Sequence, residues 1–128
     1  MDTSKLRYTE THEWVSLNGN NAVIGVTDHA QKEISDVVFV ELPKAGKKVQ
    51  AKDSVMVVES VKAAFDIYAP MSGTVTKANE KLSGKPELVN QSPLGDGWLY
   101  ELECSDPSQF DKLLTEAQYK NVSSQAAH

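Results

Sequence analysis

The chain has 128 residues, 40% of them hydrophobic, with 13 basic and 18 acidic side chains and a net charge of −5. That length fits one domain with a modest core, and the lack of any Lys/Arg run excludes sustained contact with nucleic acid or anionic lipid. The single cysteine, Cys104, rules out an internal disulfide or a cysteine-built metal site, and no stretch approaches the roughly 18 apolar residues of a membrane span.

The opening residues, Met1-Asp2-Thr3-Ser4-Lys5, show neither a signal peptide nor an Arg-rich transit segment. Cytoplasmic work is expected for a bacterial source, and the mitochondrial matrix for a eukaryotic one. His12 to Leu17 and Asn21 to Val26 read as strands, parted by Asn18-Gly19-Asn20, a turn that needs positive φ. Thr27 or Asp28 can cap a brief helix, Asp28 to Ile34, with Ala30 and Ile34 on one face. Val37 to Val40 is β-branched and aromatic, and Pro43 with Gly46-Lys47-Lys48 ends it.

Val55 to Val58 and Phe65 to Tyr68 are two further strands, with Lys62 between them, and Pro70-Met71-Ser72-Gly73 turns into a strand at Thr74 to Thr76. A polar loop rich in Gly, Pro and Asn is expected next, then a strand over residues 98–104 that takes in Cys104 as a small packing residue. Asp106 can cap Pro107 at the first helical position, with Phe110, Leu113 and Leu114 at helical spacing. Residues 115–119 suggest a second short helix, and 123–128 a frayed end. Many short strands with late helices predict a β-sandwich or flattened barrel with peripheral helices. Trp14 and Trp98 are expected to pack in it.

The stretch Glu59-Ser60-Val61-Lys62-Ala63-Ala64 carries the chemical interest. Apolar runs on both sides place Lys62 at or near a hairpin tip, where paired strands steady a side chain offered to another protein. A deprotonated lysine amine forms an amide at the end of a long stem, with loss of one charge. Taken by itself, one of twelve lysines in a turn is more simply a solvated surface residue.

Seven ordered blocks change that balance: residues 12–15, 24–31, 38–43, 59–63, 66–70 with 72–73, 85–90 and 97–99, from His12-Glu13-Trp14-Val15 to Gly97-Trp98-Leu99. In order and spacing they resemble the glycine cleavage H-protein family along nearly the whole chain. The resemblance implies a mainly β lipoyl/biotinyl-type barrel-sandwich hybrid of antiparallel sheets with short peripheral and C-terminal helices. It implies one carrier domain over 1–128, its lipoyl-binding core at about 20–104 and C-terminal helices at about 106–122.

By the same resemblance, Lys62 bears lipoic acid, and the chain is a carrier rather than an enzyme. Its arm takes an aminomethyl group from pyridoxal-phosphate glycine decarboxylase and presents it to a tetrahydrofolate-dependent aminomethyltransferase. FAD-dependent dihydrolipoamide dehydrogenase then reoxidises it. The implied partners also include a lipoylating enzyme that reads Glu59, whose simpler role is charge balance for Lys62. A monomer meeting these partners transiently is the expected state. Thr11, Glu13 and Asp66 are implied to line a cleft that shelters the loaded arm. On sequence alone, Glu13 and Asp66 read more simply as exposed strand carboxylates.

Two departures from the family pattern stand out. Ile34-Ser35 occupies the place of a usual Leu-Gly pair at a helix end that favours positive φ, and Phe65 replaces a small polar residue near Lys62. A biotinyl carrier would have Met on both sides of its lysine, where this chain has Val61 and Ala63. A lipoyl domain of a 2-oxo acid dehydrogenase would have an acidic residue just before it and a catalytic core beyond. His12, His29 and His128 show no metal-ligand spacing, and no nucleophile triad or phosphate loop is present. The remaining alternative keeps the lipoyl group and makes the chain a relay that donates it to 2-oxo acid dehydrogenase complexes.

Overall fold

The computed structural model describes residues 3–126, with side chains as far as Val122. Strands β1 (Arg7–Tyr8), β2 (Glu13–Asn18) and β3 (Asn21–Val26) form an antiparallel meander. Asn18 pairs with Asn21, so the β2–β3 turn is Gly19-Asn20, and Gly19 takes φ 63° at its first central position. The expected strand start at His12 shifts to Glu13 because His12 itself has φ 72°.

Helix α1 runs Asp28–Ile34, as the capping pattern predicts. Thr27 Oγ1 accepts from Ala30 N at 3.1 Å, and Ala30 and Ile34 are buried. The helix ends at Ser35 with φ 74° and ψ −160°. Serine therefore takes the positive-φ conformation that glycine adopts without strain.

Then come β4 (Val37–Glu41), β5 (Lys48–Val49), β6 (Ser54–Ser60), β7 (Ala64–Tyr68), β8 (Gly73–Ala78) and β9 (Tyr100–Cys104). Two antiparallel sheets result, ordered β1-β2-β3-β9-β8-β5 and β4-β6-β7. The large sheet takes in β1 and β2, ahead of the 20–104 stretch. Buried Ile24, Val40, Val58, Met71, Val75 and Leu102, drawn from both sheets and the turn before β8, form one apolar cluster between the layers. Leu6, Tyr8, Trp14 and Tyr119 form a smaller second cluster. Gly25 is fixed by that packing: a Cβ there would stand 2.6 Å from the Trp14 ring.

Four expectations need correction. The polar loop after β8 contains two short helices, α2 (Lys81–Gly84) and α3 (Leu88–Gln91). Each inserts one apolar side chain, Leu82 and Val89, into the core, and a four-residue helix leaves no periodicity to read. The last strand starts at Tyr100 rather than 98.

After Asp106, which accepts from Ser108 N at 3.2 Å, Pro107–Lys112 forms a 3-10 helix. Leu114 lies beyond it because its backbone exchanges two 2.9 Å hydrogen bonds with Tyr8, and that bridge overrides helical spacing. Helix α4 then runs Glu116–Ala126, further than the expected 115–119 and into the stretch expected to fray. Ala127 and His128 lie outside the described residues. Among the described residues no helix is long and apolar enough to cross a membrane.

Candidate functional site

Lys62 sits at the exposed tip of the β6–β7 hairpin, where Glu59 pairs with Ala64. Ser60 organises the tip. Its hydroxyl accepts from Lys62 N at 3.0 Å and Ala63 N at 3.2 Å, while its own N donates to Ala63 O at 2.9 Å. Val61 N donates to Asp36 O at 3.0 Å, which ties the tip to the corner between α1 and β4. Among the described residues Lys62 Nζ has one weak contact, donating to the Glu33 carbonyl at 3.3 Å. The lysine is thus firmly held at its backbone and loosely held at its amine.

The supporting corner is itself pinned by Asn90. Its Oδ1 accepts from Val37 N at 2.9 Å, and its Nδ2 donates to Ser35 O at 2.7 Å. Around the tip, Val38, Phe39 and Val61 are exposed by 54%, 52% and 69%. A register shift between Val37 and Phe39 turns both Val38 and Phe39 outward, which alternation alone would not predict. Glu59 is exposed on β6, three residues before the lysine. Phe65 does not face the tip's outer surface; it is half-buried and packs inward on the core.

A second site lies where Thr9–Glu13, the end of β7 and residues 112–114 meet. This cleft, of about 460 Å3, is lined by Tyr8, Thr11, Glu13, Tyr68, Lys112 and Leu114 among others. Glu13 is only 1% exposed, which overturns its reading as a solvent-facing carboxylate. Its Oε1 accepts from Thr9 Oγ1 at 2.6 Å and from Thr11 Oγ1. Its Oε2 has one long contact, from Tyr68 N at 3.4 Å, and so keeps capacity for another donor.

Burial pushes the Glu13 carboxyl above its usual range, against the pull of the Thr11 and Thr9 hydroxyls and the Tyr68 amide. Asp66 is placed apart from these two. It is exposed on β7 and accepts from Ser54 Oγ at 2.9 Å. It shares a strand face with Tyr68, two residues on, which does line the cleft.

Thr9, Ser60 and Asn90 escape a reading of the sequence because each acts through a neighbour. The one available signal is position: a hydroxyl four residues before Glu13, one two before Lys62, and an amide inside the 85–90 block.

Residues 6–126 match the family model described as glycine cleavage H-protein. The chain is 47% identical over 119 residues to the glycine cleavage system H protein of Thermotoga maritima, covering 93% of this chain and 96% of that one. It is 49% identical over 122 residues to that of Bacillus cereus, covering 95% and 96%. A crystal structure of a glycine cleavage system H protein from Mycobacterium marinum superposes with a TM-score of 0.84 at 30% identity over 98% of both chains. The chain therefore belongs to the glycine cleavage H-protein family, the carrier component of that system and not one of its enzymes.

Proposed function

We propose that Lys62 carries lipoic acid as an amide. The chain then serves as the lipoyl carrier that visits glycine decarboxylase, the folate-dependent aminomethyltransferase and dihydrolipoamide dehydrogenase, after a lipoylating enzyme has loaded it. The observation that carries this reading is the Lys62 amine, exposed at a braced tip with a single 3.3 Å contact. A lipoyl group bound there supplies a disulfide that takes up an aminomethyl group and is later reoxidised.

Everything else is placement. Ser60 and Asp36 hold the tip backbone, so the amine is presented at a fixed point to each partner. Glu13 Oε2 offers a charge-assisted acceptor to an incoming amine, while Thr9 and Thr11 keep Oε1 from turning. Apolar Tyr8 and Leu114 at the cleft wall limit the access of water to a group resting there. Asp66 supports the same cargo from the strand face between tip and cleft.

Intact mass and peptide mapping on protein from its natural host test the reading. A lipoyl-sized gain confined to Lys62 is expected. A biotin-sized gain, or lipoate on a different lysine, overturns it.

A further inference from the structure

Along the chain His12, His29 and Glu33 have no shared ligand spacing beyond the one helical turn between the last two. Folding brings them together, and one ligand atom from each lies within 4.8 Å of the others. The His12 and His29 rings stand 4.5 Å apart between centroids, inclined by 41°. We propose that these three side chains form a binding site for a borderline divalent cation such as Zn2+, beside the Lys62 tip.

Four observations carry the site. Among the described residues His29 Nε2 is buried with no hydrogen-bond partner, although Glu33 Oε1 lies 2.9 Å away. The carboxylate and the ring nitrogen thus meet at one point, and opening the pair to the separation of somewhat over 3 Å that tetrahedral ligands at bonds of about 2.0–2.2 Å require would admit an ion between them. His12 Nδ1 is engaged by Tyr119 Oη at 2.8 Å, and that hydroxyl meets Thr27 Oγ1 at 2.7 Å. With Nδ1–H donating to Tyr119 Oη, the ring orientation is fixed and Nε2 keeps a free lone pair, the outer-shell support that metal-bound histidines have.

The third observation is mobility where it is needed. Both rings are half-buried, while Glu33 is exposed. The set is at most 4.8 Å across, and the exposed Glu33 carboxylate can adjust as an ion enters. Fourth, the donor set decides the ion: two imidazoles and one carboxylate suit Zn2+ and discriminate against Mg2+, which prefers oxygen. Three protein ligands leave an open position, on the exposed Glu33 side. The backbone carbonyl of Glu33 is also the contact of Lys62 Nζ, so an ion here sits next to the anchor of the carrier arm.

The site needs no modification of Lys62, so its test is independent of the lipoyl reading. Full-length protein freed of metal by a chelator is titrated with Zn2+ by calorimetry and with Co2+ by visible absorption. One ion per chain is expected, undisplaced by excess Mg2+. Glu33→Gln, on an exposed helix face, should weaken binding about tenfold or more with an unchanged circular dichroism spectrum. Tyr119→Phe, which keeps the ring and removes the hydroxyl, should weaken it by about tenfold. Absence of saturable binding, displacement by Mg2+, or a site that Glu33→Gln and His29→Gln leave intact overturns the proposal.

Discussion

At the β6–β7 tip the Ser60 hydroxyl binds backbone groups, and the lysine they carry stays exposed. In the cleft the Thr9 and Thr11 hydroxyls bind a side chain, and the carboxylate they hold is buried. Hydroxyls organise both places, toward opposite ends. A tip that must travel between partners needs a rigid base and a free end. A resting place needs the functional atom itself fixed and dry, and it accepts an electrostatic penalty for that.

Removing the free end should have the largest effect. Lys62→Arg keeps the charge but presents a guanidinium, which does not form the amide, so mass spectrometry should find no lipoylation. Stability should change by less than about 0.5 kcal/mol, as for other exposed surface positions. Lipoate uptake by this variant would break the comparison at its first term.

Glu13→Gln tests the second term. It keeps the shape and removes the charge on the acceptor, a loss of about 1.5–3 kcal/mol for a charge-assisted bond. The loaded arm should then release its cargo about 10- to 100-fold faster, measured by the decay of the loaded species. Stability should move the other way. Burial raises the Glu13 pKa, so the folded state holds the proton more tightly than the unfolded chain. The wild type therefore loses stability as pH rises above the ordinary value of 4.5 toward the raised one. The glutamine variant should melt higher at neutral pH, and the advantage should vanish below pH 4.5. An advantage that persists in acid would mean that Glu13 carries no burial penalty.

Asn90→Ala reaches the tip from behind. It leaves Val37 N and Ser35 O without their side-chain partner. Two such half-buried groups should lower stability by about 2–3 kcal/mol in denaturant unfolding. Because Asp36 holds Val61 N from the same corner, lipoylation of Lys62 should slow as well. Slower loading with unchanged stability would show that Asn90 contacts the lipoylating enzyme instead.

Legibility in the sequence followed the range of the forces involved. Asp28–Ile34 and Asn21–Val26 were readable to the residue, because a cap, a glycine turn and side-chain periodicity are local. The helices at 81–84 and 88–91 were not, since they exist to insert Leu82 and Val89 into a core assembled from distant strands. Lys62 at a tip was legible for the same local reason as the turns. The burial of Glu13 was not, because the cleft it lines is built with Tyr8, Tyr68 and Leu114 from three separated segments. His12 and His29 looked unrelated for want of sequence spacing, and in the fold His12 stands at positive φ with its ring against both His29 and Tyr119.

Ser35 gives the smallest effect and the sharpest test of how rigid the base of the tip must be. With φ 74° and ψ −160° it occupies a region that is nearly glycine's own, at a cost of order 1–3 kcal/mol. Ser35→Gly relieves that strain but gives the unfolded chain more freedom, which offsets part of the gain. The net should be about 1 kcal/mol of added stability, a rise in melting temperature of about 3–5 °C. Ser35 O and the neighbouring Asp36 O serve Asn90 and Val61 through the backbone, which glycine supplies equally well. Lipoylation of Lys62 should therefore proceed at the wild-type rate. If the variant is more stable yet loads more slowly, the serine side chain itself shapes the corner on which the tip rests. If it is less stable, the backbone at residue 35 is unstrained and the corner owes its geometry to Asn90 alone.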